Sequence, residues 1–90
     1  MTDPHPHPKK VRIERVQTGV RIEKRMLKVL KALAEYLDMS LGDLLEGIVL
    51  HAFEGKPLPL NEDILARIEI LKQVYDMDYD CSAAHHFEEI

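Results

Sequence analysis

One short stretch constrains this chain more than any other: RVQTGVRIEKR, Arg15 to Arg25, begins with the pattern of a strand and ends with that of a helix. Successive side chains of a strand point to opposite faces, so Val16, Thr18, Val20 and Ile22 fall on one side and Arg15, Gln17, Gly19 and Arg21 on the other. The first face is largely apolar and the second is polar and basic. Val11 and Ile13 keep the alternation in the opposite register, which places a bulge or the true strand start near Glu14. No other segment offers a second strand of similar quality. A lone strand leaves backbone donors and acceptors unpaired, so its partner has to come from outside the chain.

The rest of the chain reads as helix. Met26, Leu30, Leu33 and Leu37, widened by Leu27 and Ala34, predict a helix over 23–37. Ser40 is suited to cap the next helix, with Asp43 three residues on in a capping-box-like position; it runs over 41–54, and its apolar residues Leu44, Leu45, Ile48, Val49, Ala52 and Phe53 lie on more than one side. A helix apolar round so much of its circumference needs a partner. Gly55 and Pro57 stop it, and Asn61 caps a third helix over 62–75 with a stripe of Ile64, Leu65, Ile68, Leu71 and Tyr75. The remainder, DMDYDCSAAHHFEEI, reads as an acidic, frayed helical tail.

Ninety residues, 46% hydrophobic and 31% charged, describe one small globular domain that buries a limited share of its surface alone. No apolar run reaches the ~18 residues of a membrane span, and the polar start MTDPHPHPKK lacks a signal-peptide core, which points to the cytoplasm. The single cysteine, Cys81, excludes an internal disulfide. Three prolines in DPHPHP make residues 1–10 a disordered arm, and they keep His5 and His7 from converging on a metal. The net charge of −4 conceals a strong asymmetry: residues 1–36 carry nine bases against four acids, whereas 37–90 carry three against twelve. A basic face needs only local charge to attract a polyanion, so an acidic total does not exclude nucleic acid.

A two-fold dimer satisfies the unpaired strand and the over-apolar second helix together. The strand pairs antiparallel with its copy, and the second helices cross and cover each other. Gly47, which costs about 1 kcal/mol against alanine within a helix, suits a close crossing of this kind. Arg15 to Phe53 resembles a ribbon-helix-helix domain of bacterial and phage repressors and antitoxins, in element order, lengths and alternation. The resemblance implies a mainly α fold with one short β-strand, an intertwined homodimer with a two-stranded antiparallel ribbon, and here an added C-terminal helix. The DNA-binding and dimerisation domain then covers 11–55, with a C-terminal helix and acidic tail over 56–90.

The resemblance further implies a bacterial transcriptional regulator with its ribbon in the major groove of double-stranded DNA. The base-reading positions become Gln17, Gly19 and Arg21: arginine can donate twice to guanine and glutamine can pair with adenine. Glycine at the middle position departs from the usual polar side chain; it lets the backbone approach the bases or accommodates ribbon twist. Phosphate contacts fall to Arg15, Lys24, Arg25 and Lys28, to Ser40 and Leu41 at the start of the second helix, and to Lys9, Lys10 and Arg12 of the arm. Asp43 and Glu46 compete with phosphate at that helix start. The dimer core comprises Val16, Val20, Ile22, Leu30, Leu45, Ile48 and Val49.

Simpler readings stand beside these. Cys81, His85 and His86 with Asp78 and Asp80 would outline a metal site only on a helical tail, and no catalytic residue, metal or cofactor is expected. A helical interaction module is the competing function. Its segment 61–90 would cover a partner protein, pack back on the dimer, or join dimers into a tetramer.

Overall fold

The computed structural model describes residues 10–90, so the expectations for the arm over 1–9, including Lys9, His5 and His7, lie outside the described residues. Three helices of thirteen residues follow in order, α1 (Lys24–Tyr36), α2 (Leu41–Phe53) and α3 (Glu62–Val74), then a single 3-10 turn at Cys81–Ala83. They lie where the periodicity puts them. Ser40 Oγ accepts from the Asp43 amide at 3.1 Å and Asn61 Oδ1 from the Ile64 amide at 2.8 Å, so both N-caps satisfy a donor that the helix itself leaves open. Glu23 caps α1 in the same way through the Arg25 amide.

All three helices stop by one device. Asp38, Gly55 and Asp76 adopt left-handed backbone with φ of 55°, 64° and 55°. Each is followed by an amide that reaches back five residues: Met39 to Ala34 at 3.0 Å, Lys56 to His51 at 2.9 Å, and Met77 to Lys72 at 2.8 Å. Aspartate takes this conformation more readily than most side chains, which is why it twice replaces the usual glycine.

The strand expected over 16–22 is not formed, and the ribbon-helix-helix fold is overturned with it. Among the described residues there is no strand at all, and residues 10–22 have no regular structure and make no backbone hydrogen bonds. The alternation is present in the sequence, but within one chain it meets no second edge, so nothing repays the ordering of the backbone. Val16 and Val20, expected on the buried side, are 80% and 75% exposed in the single chain. Ile22 is half-buried beside α1.

Packing is organised around α1. Among the described residues Val29, Leu33 and Ala34 of α1 and Leu44 of α2 are the buried apolar ones, and Leu30, Leu37, Ile48, Leu58, Ile64, Ile68 and Leu71 pack around the last three. α1 lies against both α2 and α3, which make no close backbone approach to each other. Gly47 lies near Leu58, whose Cδ1 would be 3.9 Å from an added Cβ, an ordinary contact distance. The tail after α3 is irregular apart from the one turn.

Leu44, 2% exposed, is the deepest side chain, and Leu44→Ala is expected to cost about 2–5 kcal/mol in chemical denaturation. Asn61→Ala, which removes only a cap, should cost about 1 kcal/mol.

Candidate nucleic-acid interface

Residues 10–31 hold eight lysines and arginines against two glutamates. Irregular backbone followed by the first two turns of α1 presents them, and Lys10, Arg12, Arg15, Arg21, Lys24, Lys28 and Lys31 are exposed. Gln17 and Gly19 are exposed in the irregular segment, and a Cβ on Gly19 would meet nothing within 4 Å. Neither close packing nor left-handed backbone requires glycine there.

Three of these arginines are held by acids from the other half of the chain. The Arg15 guanidinium donates to both carboxylate oxygens of Glu46, at 3.2 and 3.0 Å, and lies 3.7 Å from Asp43. Its hydrogen bonds and charge hold the Glu46 carboxyl below the usual range. The start of α2, where Ser40 and Leu41 were expected to receive a phosphate, is thus furnished with its own carboxylates and their counter-ion. Arg21 meets Glu89 at 2.8 Å. Arg25 donates to Glu23 at 3.0 Å, to Asp78 at 3.0 Å and to the Asp76 carbonyl at 3.2 Å. Lys10, Arg12, Lys24, Lys28 and Lys31 make no ion pair with the described residues.

Aromatic rings of the acidic half reinforce the clasp. The Arg25 guanidinium lies 5.2 Å from the centre of the Tyr79 ring, and the Lys28 ammonium 5.8 Å from that of Tyr75. The Tyr79 hydroxyl donates to Glu23 at 2.6 Å. Sequence reasoning missed Glu23, Asp78, Tyr79 and Glu89. The available signal was the opposite charge of the two halves, with a tyrosine set among the acids of DMDYD.

Of the residues assigned to a dimer core, Val16, Val20 and Val49 are exposed and Ile22 is half-buried. Leu30 and Ile48 pack against the chain's own core, and Leu45 is half-buried. Val49, Leu50 and Phe53 are 43%, 62% and 81% exposed. With Leu45 and Glu46, Val49 and Leu50 form a groove of about 420 Å³ closed on one side by Ile13.

Cys81 is a free, exposed thiol, His85 sits in left-handed backbone at φ 65°, and the two are not brought onto one helical face. Among the described residues no three His, Cys, Asp or Glu side chains converge as metal ligands. No described helix is long and apolar enough to cross a membrane. No protein-family model, no curated protein and no solved structure matches the chain significantly.

The Glu23–Tyr79 contact has a defined pH window. Burial, then the bond to Glu23, pushes the Tyr79 hydroxyl up to about 12 from its ordinary 10.0. Burial also favours the neutral form of Glu23, but the Tyr79 hydroxyl and the Arg25 amide and guanidinium outweigh it and hold that carboxyl below its ordinary 4.5. A raised tyrosine contributes stability that is present below pH 10 and lost as pH rises through about 12, and a lowered carboxylate contributes stability that is lost as pH falls below its ordinary range. In an absorbance titration one of the three tyrosines should therefore ionise last, and Tyr79→Phe should remove that late step.

Proposed function

We propose that the protein is a homodimeric, double-stranded-DNA-binding regulator whose basic segment, residues 10–31, faces the duplex. The observation that carries this is the concentration of eight bases against two acids on that exposed segment. Lys10, Arg12, Lys24 and Lys28 neutralise phosphates, while Arg21 and Gln17 supply whatever discrimination between bases there is. The contact does not use a β-ribbon, and the proposal rests on charge placement rather than on family membership.

Support for a second copy comes from apolar exposure. Val49 and Leu50 of α2 line one apolar groove with Ile13 of the irregular segment, and Phe53 of α2 is 81% exposed. Two copies related by a two-fold axis would cover one another's α2 face and place two basic segments on one side. One observation favours the interaction-module reading instead: Ile70 and Val74, one turn apart on α3, are 50% and 62% exposed and open a separate apolar stripe to a partner protein.

Binding of the full chain to a random-sequence duplex should weaken steeply with salt, by about 0.9 in the log–log slope per phosphate neutralised. Lys28→Ala should reduce affinity alike for all sequences, whereas Arg21→Ala should cost about 1–3 kcal/mol on a selected site and relax base choice. No affinity for any duplex at low salt would remove this function and leave the interaction module.

A further inference from the structure

The segment after α3 folds back across the start of α1 and sets its acids on the bases assigned to the duplex. Glu89 meets Arg21 across 68 positions of sequence, and Asp78 meets Arg25 across 53. Both pairs are exposed, and exposed ion pairs hold little on their own. The tail is instead seated by less polar contacts. Tyr79 is half-buried, bonds Glu23, and packs edge-on against Phe87 with ring centres 5.3 Å apart and planes at 78°. Those rings form one wall of an apolar groove of about 570 Å³ whose other walls are Met26, Val29 and Leu30 of α1 and Ile68 of α3. Seating therefore comes from the aromatic residues, and the acids can exchange partners without the fold being lost.

We propose that the acidic tail, residues 76–90, is an intramolecular competitor: Asp78 and Glu89 occupy Arg25 and Arg21 in the free protein and are displaced when these arginines engage a polyanion. The inference rests on the duplex-binding role of the segment but is open to a separate test. A competitor tethered within the same chain acts at high effective concentration, so even weak ion pairs lower the apparent affinity by the fraction of molecules in which they are closed. It also sharpens selection, since a weak encounter does not repay the contacts it breaks.

The test compares full-length Asp78→Asn/Glu89→Gln with wild type for binding to duplex DNA and, separately, to heparin as a polyanion without bases. A charge-matched control, Glu35→Gln/Glu54→Gln, removes two acids that make no ion pair among the described residues. The tail variant should bind both ligands roughly five- to tenfold more tightly than the wild type, and clearly more tightly than the control. Tighter heparin binding by the tail variant with no duplex binding by any form would uphold the competitor and remove the DNA function. Equal affinities of tail variant and control for heparin, or no heparin binding by any form, would overturn the competitor.

Discussion

Everything in this fold hangs from one face of α1. Val29, Leu33 and Ala34 are buried there, and Leu44 and Ile48 of α2 and Ile64, Ile68 and Leu71 of α3 belong to the cluster built on Leu33 and Ala34. α2 and α3 share the cluster around Leu33, Ala34 and Leu44 but make no close backbone approach to each other, and their outer sides stay uncovered. That leaves Val49, Leu50 and Phe53 of α2 and Ile70 and Val74 of α3 in solvent. A chain of this size gains its stability from a small core, so apolar side chains left uncovered are a substantial part of what it could bury. The exposed α2 face follows from this packing, and the proposed second copy is what would cover it.

Charge is sorted along the chain as strictly as hydrophobicity is sorted around the helices. The basic first half and acidic second half meet at three places, Arg15 with Glu46, Arg21 with Glu89, and Arg25 with Asp78. Each contact joins residues more than thirty positions apart, so folding itself brings the opposite charges together. The outcome is a cationic surface partly answered by the chain's own acids. Lys10, Arg12, Lys24, Lys28 and Lys31 make no ion pair among the described residues, while Arg15, Arg21 and Arg25, with the more specific donor geometry, are already engaged.

What was legible in the sequence was local. The three helices and the caps at Ser40 and Asn61 depend on chemistry within a few residues, and each is found where the pattern puts it. The strand was misread because alternation over 16–22 states which side each residue takes, not whether an edge exists to pair with. The clasp of Glu23, Arg25, Asp78 and Tyr79 was invisible for a related reason: it joins the first turn of α1 to residues more than fifty positions away, and no periodicity reports on that.

The central claim is that the single chain leaves an apolar α2 face which a second copy covers. Sedimentation equilibrium of the full chain over a wide concentration range, with thermal melting on the same samples, tests it most directly. Twice the chain mass of 10.4 kDa, with a Tm that rises with concentration, is expected. A mass of one chain at every concentration, with a Tm independent of concentration, would contradict it.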